Sequence, residues 1–130
     1  MPDMIESYNH HGRIGVMVQF RCNDDFALKT TELQEVTKGI AVHIAAASPT
    51  VVDPSELSPK IRNDELADNV ASAKELHAEA RLKAISEANQ RINEQHCLLS
   101  QRYVKDPERT VGELLEELSS TLGVNLTVVR

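Results

Sequence analysis

The stretch "GRIGVMVQFRCNDDFALKTTELQEVTKGIAVHIAAASP", residues 12–49, changes its hydrophobic period partway along. Up to Cys22 the apolar residues alternate, with Ile14, Val16, Val18 and Phe20 on one side, which is the pattern of a strand with one buried face. From Leu33 onward Val36, Ile40, Ala41, Ile44 and Ala47 recur at helical spacing. Between the two lies "NDD", residue types that tolerate left-handed geometry and bond their own backbone, so the strand ends there. Thr31 with Gln34 has the form of a capping box that opens the helix. Pro49 closes it, because the residue before a proline is pushed out of the α region. Phe26, one of only two phenylalanines, falls at the turn rather than in either apolar face.

Outward from this unit, Asp53 with Pro54 and Glu56 spells a second helix start. Between Pro59 and Pro107 there is neither Gly nor Pro, and residues 63–95 are dominated by strong helix formers. This predicts a helical arm over about 60–96, straight or bent into two. Its apolar stripe, Leu66, Val70, Ala73, Ala80, Ala84, Ala88 and Ile92, is narrow and small, as in closely paired, coiled-coil-like helices. "CLLSQRYV" (97–104) reads as a second strand. "DPERTVGELLEELSSTLG" (106–123) reads as a turn and a helix capped by Thr110 and Glu113 and ended at Gly123, and "VNLTVVR" (124–130) as a third strand. The expected fold is α+β: a three-stranded antiparallel sheet covered by helices on one face, with the helical arm projecting.

A chain of 130 residues with 41% hydrophobic content fits one domain, residues 1–130, around a single core. Twenty acids against fourteen bases, and 3% aromatics without Trp, argue against a nucleic-acid surface and favour a protein or small-molecule partner. No apolar run approaches the ~20 residues of a membrane span, and the N-terminus lacks a leader pattern. A soluble, cytoplasmic protein is expected, or one of an organelle matrix or stroma. Cys22 and Cys97 stand 75 positions apart without metal spacing, and reduced thiols are expected in that compartment.

His10, His11, His43, His77 and His96 do not show zincin spacing, so surface or structural roles are expected and no metal or cofactor is called for. A carboxylate-pair hydrolase built on Asp24, Asp25, or Asp64 with Glu65 would need a convergence that spacing alone does not supply. The expectation is a non-enzymatic binding protein.

The segment from Ser7 to Pro49, "SYNHHGRIGVMVQFRCNDDFALKTTELQEVTKGIAVHIAAASP", together with "CLLSQRYVKDPERTVGELL" and the final "GVNLTVVR", resembles the core of the elongation factor Ts family. The likeness covers most of the chain outside residues 60–95. It implies a guanine-nucleotide exchange core that binds elongation factor Tu and promotes GDP release during translation elongation. By position, Asp25 and Phe26 match the family's Thr-Asp-Phe turn, which enters the GTPase beside its magnesium site, and Asp24 stands where the family has Thr. Ile14, Gly15 and His43 match residues that meet a second region of the same partner. The resemblance further implies a homodimer, in which the turn of one subunit and the "RIG" face of the other hold one partner, and the family's N-terminal ubiquitin-associated-like domain is not matched.

Two plainer readings stand beside these. Phe26 folds back on the first helix as a hydrophobic staple, and Asp24 and Asp25 simply cap that helix. At the level of the whole chain, the alternative function is a structural dimerisation module with little or no exchange activity by itself.

Overall fold

Residue by residue, the period change at Cys22 becomes a strand, a turn and a helix. The computed structural model describes residues 3–69 and 77–130. Strand β1 is Asp3–His10, β2 is Ile14–Cys22 and helix α1 is Thr31–Ala47. Helices α2 (Pro59–Asn69) and α3 (Ala78–His96) follow, then the short strands β3 (Arg102–Tyr103) and β4 (Asp106–Thr110). Helix α4 (Val111–Leu122) and strand β5 (Leu126–Val128) complete the order.

The main sheet is antiparallel, three-stranded, in the order β1-β2-β5. Its inner face is the one the alternation predicts: Val16, Val18 and Phe20 are buried, with Cys22 continuing the series. Ile14, beside the turn of the hairpin, stays 44% exposed. Leu33, Ile40 and Ala41 of α1, Val111, Leu115 and Leu118 of α4, and Leu126 of β5 join the same cluster. Ile5 and Met17 on the opposite face remain in solvent, so helices cover one face only and the fold is α+β.

Two strand assignments need correction. The second strand of the sheet is β1, not residues 97–104. In β1 the inward positions are Met4, Glu6 and Tyr8, all half-buried, and Glu6 survives there because its Oε2 accepts from the Thr37 hydroxyl (3.1 Å) of α1. Residues 97–104 instead break up. Cys97 bridges Val51, Leu98–Ser100 form one 3-10 turn, and only Arg102–Tyr103 pair with β4 in a separate two-stranded sheet. Consecutive apolar residues at 97–99 bury both sides of that chain, which a half-buried strand does not do.

Capping also shifts by one residue at α1. Thr30, not Thr31, is the N-cap, its hydroxyl accepting from Leu33 N–H (3.3 Å), while the Gln34 side chain donates to Leu28 O (3.4 Å) instead of closing a box. Ser48, in the left-handed region at φ 48°, ends α1 just before Pro49. The Asp53–Glu56 box forms as read, but around a single 3-10 turn, with α2 starting only at Pro59. Thr110 caps α4 by accepting from Glu113 N–H (3.1 Å), and Gly123 terminates it at φ 66°.

Of the arm stripe, Ala88 and Ile92 are buried, Leu66 and Ala84 half-buried and Ala80 exposed, whereas Val70 and Ala73 lie outside the described residues. Helices α2 and α3 are held together largely by polar contacts. The Arg62 guanidinium donates to Asn89 Oδ1 (2.9 Å) and Asn93 Oδ1 (2.6 Å), and Glu65 meets His96 Nε2 at 2.7 Å. Both cysteines are buried and free, and burial pushes the Cys97 thiol above its ordinary range.

Candidate functional site: an exposed aromatic on a clamped turn

Strand β2 ends on a fully buried Cys22, and the chain then has to cross to α1 without leaving polar backbone unpaired. Asn23 does the first part: its side-chain oxygen accepts from Asn125 N–H (2.8 Å), tying the turn to the start of β5. Asp24 does the second, its Oδ1 accepting from Phe26 N–H (2.9 Å) in an Asx turn. Phe26 itself is right-handed (φ −65°, ψ −37°) and opens the 3-10 turn Ala27–Lys29, which its carbonyl closes by accepting from Lys29 N–H (3.1 Å). Ala27 is buried and Thr30 caps α1. Phe26 therefore sits between anchors on both sides.

Held this way, its ring points outward and is 76% exposed. The staple reading fails, because a staple would bury the ring on α1. The helix-cap reading of Asp24 and Asp25 is also corrected: Thr30 caps α1, Asp24 caps the Phe26 turn, and Asp25, the residue before Phe26, is exposed. An exposed benzyl group next to a free carboxylate on a fixed backbone can fill an apolar slot in another protein while presenting negative charge near a cation.

The second set does not stay together. Ile14 and Gly15 are exposed at the hairpin end of β2, where His11 (φ 53°) and Gly12 (φ 70°) take the left-handed conformations that the tight reversal needs. Nothing lies within 4 Å of where a Gly15 side chain would begin. His43, expected as a contact, is 2% exposed. Its Nδ1 accepts from Val104 N–H (3.1 Å) and its Nε2 lies 3.0 Å from Gln101 Oε1, so the ring carries its proton on Nε2 and bolts α1 to residues 101–104. The reason is packing: His43 lies on the same side of α1 as buried Ile40 and Gly39, against Tyr103. In the free chain the ring is therefore packed inside rather than presented on the surface.

Ile14 opens β2 and Phe26 lies four residues past its other end, and the eight steps from Ile14 to Cys22 at ~3.3 Å each span about 26 Å. On the outer sheet face between them, Ile5 (61%) and Met17 (74%) are exposed, a patch that the sequence reading missed. The alternation Ile5, Ser7, Asn9 opposite Gln19, Met17, Gly15 was the available signal, masked because β1 itself was not recognised. Among the described residues no group of three or more His, Cys, Asp or Glu is arranged to hold a metal ion, and no helix is long and apolar enough to cross a membrane.

Comparison with known proteins meets this geometry. The family model for elongation factor Ts matches residues 2–129. Among curated relatives, elongation factor Ts of Geotalea daltonii is 37% identical over 130 residues, covering 98% of this chain and 60% of the relative. That of Alkaliphilus oremlandii is 34% identical over 129 residues (98% and 60%), and that of Syntrophobacter fumaroxidans 32% over 130 residues (98% and 65%). The chain thus spans 60–65% of the length of these relatives. With its matched residues running almost from end to end, this chain belongs to the elongation factor Ts family.

Proposed function

We propose that this chain is a nucleotide-exchange core for the translational GTPase elongation factor Tu, acting through Phe26 and Asp25. The observation that carries the reading is the ring of Phe26, 76% exposed on a turn clamped at both ends, in a chain of this family. A nucleoside diphosphate is held by backbone N–H groups and a magnesium ion. A protein that binds better to the state lacking those contacts weakens GDP by the same factor by which GDP weakens it. A wedge and a charge are sufficient, and no bond is made or broken, so the activity is binding rather than enzymatic catalysis. Asp24 serves by fixing the turn.

The second contact, through Ile14 and Gly15, lies at the other end of β2, about 26 Å from Cys22, where the turn begins. That separation supports a homodimer in which the turn of one copy and the hairpin end of the other face one partner, with Ile5 and Met17 on the outer sheet face as the surface that pairs. The same patch favours the alternative reading, a dimerisation module with little exchange activity of its own.

Stopped-flow release of a fluorescent GDP from elongation factor Tu, with sedimentation of the chain alone, separates the two. Accelerated release that saturates with the chain supports the exchange core. A dimer that leaves the release rate unchanged at saturating concentration establishes the module instead, and a monomer without effect on release overturns both.

A further inference from the structure

Away from Phe26 and the hairpin, a groove of about 630 Å³ runs between α4, β5 and the 52–56 turn. Its floor is apolar, from Val52, Leu99, Leu115 and Leu126. One bank is the outer edge of β5. Val129 N–H pairs with Gln19 O (2.7 Å) and Thr127 stands opposite Arg21, so these residues turn their backbone groups toward β2. By alternation the N–H and C=O of Val128 point away from the sheet, and they have no partner among the described residues. The amide of Leu126, which also faces outward, is taken by Ser119 Oγ (3.2 Å). The rim carries Asp53, Glu56 and Glu116, with no Lys, Arg or His among the lining residues. Asp53 and Glu56 are fixed there by their reciprocal capping bonds, Ser55 N–H to Asp53 Oδ1 (2.9 Å) and Asp53 N–H to Glu56 Oε1 (3.0 Å).

We propose that this groove binds an extended peptide segment of alternating apolar and basic residues, added beside β5 as a fourth strand. An open sheet edge supplies main-chain pairing and a neighbouring apolar floor supplies pockets for alternate side chains. The uniformly acidic rim selects Lys or Arg at the remaining positions. A second copy of this chain is a poor occupant, because its net charge of −6 opposes the same rim. The groove shares Asn125 with the anchor of the Phe26 turn but includes neither Phe26 nor Asp25, so the proposal does not rest on the exchange reading.

The test uses two fluorescein-labelled hexapeptides, (Lys-Val)3 and (Glu-Val)3, titrated with the whole chain by anisotropy, with backbone amide shifts read alongside. The basic peptide should bind at least tenfold tighter than the acidic one, with shifts concentrated at residues 115–120 and 125–128. Val128→Pro removes an N–H that takes no part in the sheet, a position where proline is tolerated, and should weaken the basic peptide at least tenfold. Glu116→Lys, on the exposed face of α4, should do so as well, and remains informative if the proline variant does not fold. Equal binding of the two peptides, shifts centred elsewhere, or unchanged affinity in Glu116→Lys overturns the proposal. Self-association through this edge, abolished by Val128→Pro, would overturn it in favour of a second copy.

Discussion

Replacing Phe26 by Ala separates the turn's role in the fold from the role proposed for it at a partner. A phenylalanine side chain offers about 200 Å², and with 76% of the residue in solvent folding buries only about 50 Å² of it. At ~25 cal/mol per Å² that is worth about 1 kcal/mol at most, and the backbone bonds through Asp24 and Asn23 survive the change. The remaining area, about 150 Å², is available to a partner and corresponds to about 4 kcal/mol if fully covered. Truncated interface anchors cost about 2–4 kcal/mol in practice, which is about 30-fold to about 900-fold in affinity. Urea unfolding of Phe26→Ala should therefore sit within about 1 kcal/mol of the parent, while the concentration needed for half-maximal GDP release from elongation factor Tu rises at least 30-fold. Unchanged release by a variant of normal stability would refute the wedge. A large loss of stability would show instead that the ring is part of the core.

The other expectations concern the scaffold. His43→Ala leaves the buried Gln101 Oε1 without its partner and releases the Val104 N–H, and should destabilise by about 1–3 kcal/mol in urea titration, the cost of one buried polar group left unpaired; lost partner affinity at full stability would instead support the contact role. Gly39→Ala places a methyl inside the Tyr103 hydroxyl and 3.0 Å from its Cζ. Helix propensity returns about 1 kcal/mol against an overpacking cost of about 1–3 kcal/mol, so a lower melting temperature is expected, and a higher one would mean the ring moves freely. Burial raises both the Cys97 thiol and the Tyr103 phenol above their ordinary values. The unfolded chain thus loses these protons first, the thiol near 9.0, and stability should be intact below that pH and fall as pH climbs through it. Urea midpoints at neutral pH and at about pH 10 check this, with a shallower fall expected in Cys97→Ala.

What sequence could carry was periodicity and punctuation. Val16, Val18 and Phe20 declared their face, and Pro49, Gly123, Thr110 and the Asp53–Glu56 box marked ends that the fold respects. Strand β1 escaped because one of its inward positions is Glu6, acceptable only through a hydroxyl on α1 that lies 31 residues away. Residues 97–104 misled because β-rich composition does not say which partner lies alongside, and here the neighbours are Val51 and Val52. At the site, Asp24, Asp25 and Phe26 were legible as an anomaly: an aromatic at a turn in a chain short of aromatics. The inward orientation of His43 was not legible, since a histidine between the apolar positions of a helix reads equally well as core or as contact until Gln101 and Val104 are placed beside it.

The bond from Asn125 N–H to Asn23 joins groups 102 positions apart. During synthesis, the β2 turn leaves the ribosome long before the residue that secures it, and closing so wide a loop is slow and contributes nothing until both ends are present. The Asn23 anchor of the turn therefore forms only after residue 125 has been made, whereas its local bonds through Asp24 and Thr30 do not depend on it.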